Sequence, residues 1–364
     1  MMNKRLLLLI IVGISFINLM NAQTGLSRNP VRISGYLESY YIYDFGNPGD
    51  HYRPDILYSF NRHNEVNLNL GYLQAEYNDE KIRAKLALMS GTYANSNLAA
   101  ENGVLKNIFE ANAGVKILKS KNLWLDAGIF ASHIGFESAI GASCWNMTRS
   151  MLAENSPYYL AGVKISYTSN KEKWFLSGLI LNGWQRIQRV QGNQTPAFGH
   201  QITWKPNEKI IFNSSSFVGS DTPDSTRQMR YFHNFYGQIQ INQKVGLIAG
   251  FDIGAQQTSK GSSNYNLWYS PVIIARYTPT EKLAFAARVE YYSDEDEVII
   301  SSGTTNGFQT FGYSLNMDIR LMKNILWRLE ARTFNSQRDN IFPDQNQNMV
   351  RNNYALGTSL SMTF

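Results

Sequence analysis

Charged side chains recur at every second position in three segments near the carboxyl end of the sequence, and they are the residues best placed to act on a charged partner. They are Arg288, Glu290, Asp318, Arg320, Arg328, Glu330 and Arg332, and Lys85 has a similar position in an earlier segment. A spacing of two places such residues on one face of a β-strand. This ladder could select ions through its field, or its members could pair across strands and rigidify a wall. The sequence leaves both open.

Catalytic and metal-binding patterns are weak by comparison. The five histidines are dispersed, with no HExxH motif and no pair at metal-ligand spacing. Ser132 with His133, and Asp221 with His233, come nearest to the groups that a hydrolase must bring together. The acidic run at 294–297 could bind a divalent cation, but such a run is more often a solvated loop. We predict no enzyme activity, no catalytic residues, no metal and no cofactor.

The segments that carry the ladder alternate strictly between apolar and polar residues. In 311–321 the apolar face begins with Phe311, Tyr313 and Leu315, and the segment 327–333 repeats the pattern. On a lipid-facing surface near the bilayer centre each arginine would cost about 2–4 kcal/mol. The apolar face is therefore predicted to face lipid, and the charged face a hydrated interior rich in Gly, Ser, Asn and Gln.

Short polar turns separate the alternating segments. They lie at 78–81, 119–122, 169–172, 206–209, 242–244, 279–282 and 322–324. Longer and more irregular connections alternate with them, near 45–62, 94–108, 134–157, 185–196, 219–229, 258–264, 293–306 and 336–349. Asn, Lys, Glu and Pro suit the reverse turns of hairpins. Seven turns and eight long connections predict sixteen antiparallel strands.

Aromatic residues make up 13% of the sequence and concentrate near the ends of the predicted strands. One set lies beside the short turns (Tyr77, Tyr167, Trp174, Trp204, Tyr277 and Trp327), and the other lies at the opposite ends (Tyr41, Tyr43, Tyr93, Trp184, Tyr231 and Tyr291). Two such bands are typical of membrane interfaces. Beyond residue 22 there is no apolar run of 18 residues, and a membrane protein without helical spans is a closed barrel.

These patterns together predict an all-β protein, a transmembrane antiparallel up-and-down β-barrel of sixteen strands. Its short turns would be periplasmic and its long loops extracellular. A soluble two-sheet β-protein is the alternative, but it does not need the asymmetry between turns and loops. The barrel would form one domain, residues 23–364.

The amino-terminal residues predict a cleaved signal peptide, residues 1–22. Lys4 and Arg5 precede the apolar stretch 6–20, and Ala22 is a small residue at a plausible cleavage point. An uncleaved anchor is the alternative, although the run is short for spanning a bilayer. The protein is therefore expected to be exported to the outer membrane.

The last eleven residues, 354–364, alternate large apolar with small or polar side chains and end on Phe364. This segment resembles the carboxyl-terminal strand of Gram-negative outer-membrane β-barrels. The resemblance implies that Phe364 belongs to the signal that the barrel-assembly machinery reads.

The third and longest connection, 134–157, carries Glu137, Arg149 and Glu154. At this point the chain resembles outer-membrane porins of about sixteen strands, whose third loop folds into the lumen. The segments 135–137 and 156–159 also resemble a family of bacterial β-barrel porins. The resemblance implies that Glu137, Arg149 and Glu154 lie at a constriction, whereas an outward-facing surface loop is the alternative.

The function implied is passive diffusion of small hydrophilic solutes or ions through a hydrated lumen, with outer-membrane lipid around the barrel. A scaffold in a surface complex or a transporter of hydrophobic solutes is the alternative. A formal net charge of +6 is too small to predict nucleic-acid binding. The sequence does not name the solute, and it leaves open a homotrimer, because lipid-facing and subunit-facing strands look alike.

Overall fold

The computed structural model describes residues 30–364, and sixteen antiparallel strands within them close into a barrel. The strands are β1 (Val31–Asp44), β2 (Val66–Asn78), β3 (Ile82–Ser90), β4 (Ile108–Lys116), β5 (Asn122–Ala131), β6 (Tyr159–Thr168), β7 (Trp174–Leu181), β8 (Ala197–Asn207), β9 (Ile210–Gly219), β10 (Arg230–Gln240), β11 (Val245–Gln257), β12 (Tyr265–Thr280), β13 (Leu283–Asp294), β14 (Phe308–Met322), β15 (Ile325–Ser336) and β18 (Asn352–Thr363). Between β15 and β18, β16 (Phe342–Pro343) and β17 (Met349–Val350) form a separate small hairpin.

The barrel closes where its last strand pairs with its first. Tyr36 of β1 lies opposite Thr363 of β18, and this antiparallel register continues to Asp44 opposite Ala355. Beyond the strand, Gly35 and Phe364 exchange two backbone hydrogen bonds of 2.8 and 3.1 Å. The closed ring confirms the predicted strand count and satisfies the backbone groups that an open edge would leave unpaired.

All seven predicted turns and all eight predicted long connections lie between the strands expected to flank them. We call the end of the barrel with the short turns the turn end, and the opposite end the loop end. Short helical turns occur only in the long connections of the described residues: the α-helices Thr92–Asn97 and Met151–Glu154, and the 3₁₀ turns Gly103–Asn107, Gly141–Ser143 and Asp224–Thr226. No helix in residues 30–364 has the length and apolar character that crossing a membrane requires.

The alternation predicted for the strands is present, and it sorts residues by polarity. On β14, Tyr313 and Leu315 are 42% and 69% exposed on the outer surface, whereas Ser314 and Asn316 are buried inside. Because successive side chains of a strand point to opposite faces, each strand presents apolar residues to lipid and polar residues to the interior.

The interior at the loop end differs from the polar lining that the sequence predicted. Inward-facing aromatic residues of the strands, including Phe217, Phe232 and Trp268, pack with Ile56 of the first loop and Met151 of the third. The long loops fold into the barrel and bring their own apolar side chains with them. The strand residues that face these loops can then be apolar, because they pack in a protein core and do not line a water-filled lumen.

Two residues assigned to the outer aromatic band also lie inside. Tyr93 is 2% exposed within the helix Thr92–Asn97, and Trp184 packs edge-on against Phe217 and Phe232. Both belong to long loops rather than to strands, so strand alternation does not govern the direction in which they point. The expected signal peptide, residues 1–22, lies outside the described residues.

Candidate functional site

The third long connection, residues 132–158, runs through the interior, and we call it the inner loop. Its backbone N–H groups donate to carboxylates on the barrel wall: Met151 to Glu290 at 2.5 Å and Thr148 to Glu330 at 2.8 Å. Asn316 of β14 accepts from the Met147 N–H at 3.0 Å. The loop is therefore attached to one side of the barrel, the wall formed by β13, β14 and β15.

The arginines of the ladder bind the carbonyl groups of the same loop. Arg328 donates to the carbonyls of Gly141 and Cys144 at 2.8 and 2.9 Å, and to Asp318 at 2.7 Å. Arg288 donates to the Thr148 carbonyl at 2.7 Å, and its guanidinium lies 3.2 Å from Glu290 and 3.3 Å from Glu330. All of these side chains are almost completely buried. The pairs satisfy one another and the loop backbone, as buried charges must be satisfied.

The geometry therefore favours ion pairing over a role in facing solute for most of the ladder. Arg332 completes the network with a 2.8 Å contact to Glu290. Arg320 is exposed near the turn end of β14, outside the network. Lys85 lies on the opposite wall, 3.4 Å from Glu110. That the eight residues line a path for solute stays a prediction.

The three predicted constriction residues hold the shape of the inner loop and its contact with a neighbouring loop. Glu137 accepts from the backbone and hydroxyl of Ser150, and Arg149 donates to three loop carbonyls, including that of Ser138 at 2.7 Å. Glu154 accepts from the backbone N–H groups of Tyr58 and Ser59 in the first loop, each at 3.1 Å. Their position at a constriction stays a prediction.

Burial changes the ionisation of two inner-loop residues. Removal from water raises the pKa of Glu154 to about 7, although Arg149 and the two N–H donors oppose the shift. The second oxygen of this carboxyl, Oε1, is buried without a hydrogen-bond partner, as a neutral carboxyl tolerates better than an anion. Burial likewise raises the pKa of the Cys144 thiol, which is free.

The wall opposite the attachment surrounds a cavity of about 370 Å³ that is open toward the turn end. Charged residues of both signs from β2 to β6 line it: Glu76, Arg83, Lys85, Glu110, Asp126 and Lys164. Arg83 forms two hydrogen bonds with Asp126 and lies 4.3 Å from the ring centre of Trp124. Lys164 has no carboxylate within 4.0 Å among the described residues, and its ammonium lies 4.7 Å from the Phe130 ring centre. No residue of the inner loop lines this cavity.

Two more cavities follow toward the loop end. One of about 170 Å³ shares Glu110 and Ala131 with the first, and its other side is formed by Leu98, Pro157 and Tyr158. One of about 280 Å³ at the loop end is lined by the preceding residues of the same segments, Asn97 and Ser156. The third cavity also reaches Arg230 of β10 and Val298 of the connection after β13, so the series leads from the β2 to β6 wall into the space between the long loops.

A single layer of side chains separates the second cavity from the third. Tyr93 and Tyr158 meet edge to face with ring centres 5.7 Å apart. The Gln185 side chain accepts from the Tyr158 N–H at 2.8 Å and donates to the Asn97 carbonyl at 3.2 Å. Three loops meet in this layer, which lies between the second and third cavities.

Sequence reasoning missed this layer, because Tyr93, Tyr158 and Gln185 come from three different connections. Arg83, Glu110, Asp126 and Lys164 carried a usable signal, since each alternates with apolar residues in its strand. The serine, histidine and aspartate residues considered for a hydrolase are not brought together. His133 binds the Ser216 carbonyl, His233 is on the outer surface, and Asp221 accepts from the Trp184 N–H. Within residues 30–364 no three His, Cys, Asp or Glu side chains form a potential metal site.

A family model described as "Putative beta-barrel porin-2, OmpL-like" matches residues 30–364, the whole of the barrel. The chain belongs to this family. No curated protein is similar enough to match.

Solved outer-membrane proteins share the fold of this family member at low sequence identity. The anion-selective porin from Comamonas acidovorans has 7% identity and a TM-score of 0.60, covering 92% of this chain and 99% of its own. The channel DcaP of Acinetobacter baumannii has 11% identity and a TM-score of 0.58, covering 92% and 97%. OmpT of Vibrio cholerae, in a trimer form, has 7% identity and a TM-score of 0.57, covering 92% and 99%. The protein has a porin-like outer-membrane barrel fold.

Proposed function

We propose that the barrel is a passive channel for small hydrophilic solutes or ions, and that the path follows the wall formed by β2 to β6. The observation that carries this proposal is the series of three cavities, the first on the wall from β2 to β6 and the other two between the inner loop and neighbouring parts of the barrel. No bond is made or broken in this mechanism, so it needs neither a catalytic residue nor a cofactor.

The charged side chains along the path pair with one another, so they would not act on passing ions through a strong field of one sign. Arg83 and Lys85 face Asp126 and Glu110, which leaves Lys164 and Glu76 without an ion-pair partner among the described residues. A path with such balanced charges favours neither ion strongly. We therefore expect weak ion selectivity.

Delivery and assembly belong to the same proposal. Residues 1–22 would direct export and be removed, outer-membrane lipid would surround the barrel, and the assembly machinery would read Phe364. Association into a homotrimer is also proposed. A scaffold barrel is the second candidate, and the apolar filling of the interior at the loop end is the observation that favours it.

Planar-bilayer recording of the refolded protein distinguishes the two candidates. A channel gives stepwise conductance, and Tyr158→Ala should raise the conductance of each step because it removes a ring from the layer between the second and third cavities. Tyr354→Ala is the control, since that ring is exposed on the outer surface. Absence of steps in repeated preparations would support the scaffold.

A further inference from the structure

A group of polar side chains lies on the outer surface of the barrel, where lipid contact is expected. The hydroxyl of Ser216 lies 2.6 Å from His200 Nδ1, and the hydroxyl of Ser214 lies 2.9 Å from His233 Nε2. The two imidazole rings are 5.5 Å apart. We call these four residues, from β8, β9 and β10, the outer polar cluster.

The outward direction of the cluster follows from its neighbours in each strand. Two residues from His200, on the same face of β8, Phe198 and Ile202 are 49% and 40% exposed. Two residues from His233 on β10, Tyr231 and Phe235 are likewise exposed, whereas the intervening Asn234 is fully buried inside the barrel. The cluster is therefore surrounded by side chains that face lipid.

The cluster lies within the apolar band and not at its edge. Tyr231 is nearer the loop end, while Trp204 and Trp174 stack near the turn end with ring centres 5.6 Å apart. Hydrocarbon offers no hydrogen-bond partner, so ionisable groups there are expensive and usually contact protein. On the opposite side of the barrel, formed by β1 and β18, outward positions such as Leu37, Leu356 and Leu360 are apolar and exposed.

The strands around the cluster are also short. β7 has 8 residues and β9 has 10, whereas β12 has 16 and β14 has 15. A transmembrane strand tilted by about 45° needs roughly 9–11 residues to cross the hydrocarbon core. β7 falls short of this length and β8 to β10, with 11, 10 and 11 residues, only meet it, whereas β12 and β14 exceed it.

A recess of about 480 Å³ adjoins the cluster on the same outer surface. The rings of Trp204, Phe212, Phe235 and Phe251 form its sides, and Gly237 and Ala249 leave its floor open. Ser214 belongs both to the recess and to the cluster. An aromatic or branched side chain from another protein would fill the recess beside a polar partner.

We propose that this side of the barrel, the outer faces of β7 to β10, is the contact surface for a second copy of the same chain. Imidazole and hydroxyl groups each donate and accept hydrogen bonds, so copies of the cluster can bond to one another where they meet at the symmetry axis of an oligomer. Lipid headgroups lie at the level of the aromatic bands, above and below the cluster. The inference assigns a surface to the proposed self-association and does not depend on conduction.

Oxygen accessibility of nitroxide labels in liposomes tests this surface directly. Ile202→Cys lies beside the cluster and Leu356→Cys on β18 at the opposite side of the ring, each mid-strand and outward-facing, in a Cys144→Ser background. A label at 202 should be several-fold less accessible to oxygen than a label at 356, because protein covers it. Equal accessibility would overturn the proposal.

A double substitution tests the cluster itself. His200→Leu with His233→Leu should reduce the oligomeric fraction in native mass spectrometry of detergent-extracted protein, while Tyr354→Leu on β18, at the opposite side of the ring, should not. An unchanged oligomer, or a monomeric wild-type protein, contradicts the proposal. Conductance measured in parallel keeps the questions separate, since a non-conducting oligomer refutes the channel and retains the interface.

Discussion

At the scale of single residues, the ladder holds the inner loop and is stabilised by it in return. Glu290, for example, accepts a hydrogen bond from the Met151 N–H and also contacts both Arg288 and Arg332. Removing one member of such a buried network leaves other charges without partners, and it typically costs about 3–5 kcal/mol. The ladder is thus expected to act mainly on stability.

We predict that Glu290→Ala lowers the free energy of unfolding by about that amount, measured by urea unfolding in micelles. Arg320→Ala, on an exposed ladder residue of the neighbouring strand, should change it by less than about 0.5 kcal/mol. Equal effects of the two substitutions would show that the ion-pair network does not stabilise the fold.

Phe364 is the second residue whose contacts predict a measurable effect. Its ring occupies the space where a side chain at Gly35 would start. Gly35→Val should therefore displace the ring, and both Gly35→Val and Phe364→Ala should reduce the yield of inserted barrel. The conductance of the molecules that do insert should stay unchanged.

Leu360→Ala is the control for these substitutions, because Leu360 is on the same strand and half exposed to the outside. If Leu360→Ala lowered the yield of inserted barrel as much as Phe364→Ala does, the loss of any apolar side chain from β18 would impair insertion. The special role of Phe364 would then be refuted.

At the scale of elements, the strands could be predicted from sequence and the interior could not. Alternation such as Tyr313, Leu315 and Met317 is a local property, and each short turn is marked by its own residues. The fate of the inner loop depends on contacts between residues far apart in sequence, such as Thr148 with Glu330. The charged residues were identified, but their partners, and hence their role, were not visible in one sequence.

The contact between the first loop and the inner loop should depend on pH through Glu154. An unfolded glutamate releases its proton near pH 4.5, whereas Glu154 in the folded chain retains its proton up to a pKa of about 7. Between these values the folded chain binds more protons, so the free energy of unfolding falls as pH rises. Above pH 7 Glu154 is ionised in both the folded and the unfolded chain, and the full cost of burying its charge then lowers the free energy of unfolding.

We therefore predict that wild-type protein loses more stability between pH 5 and pH 8 than Glu154→Gln does. Urea midpoints of both proteins at each pH provide the comparison, and the contributions of other groups cancel between them. The same loss in both proteins would contradict the assignment to Glu154.

At the scale of the whole molecule, the barrel has two unlike sides. The inner loop covers the interior of the wall from β13 to β15, where the outer surface is apolar. The turn-end cavity lies against the interior of β2 to β6, and the outer polar cluster lies on the neighbouring strands β8 to β10. Solute passage, loop attachment and self-association are thus proposed for different parts of one wall.

Single-channel current through a thiol-labelled barrel tests the proposed path most directly. Asn112 and Ala113 are consecutive residues of β4, one lining the turn-end cavity and the other exposed on the outer surface. In a Cys144→Ser background, a charged thiol reagent should reduce the conductance of Asn112→Cys and leave that of Ala113→Cys unchanged. Stepwise current that the reagent does not alter at position 112, or no current at all, would contradict the account.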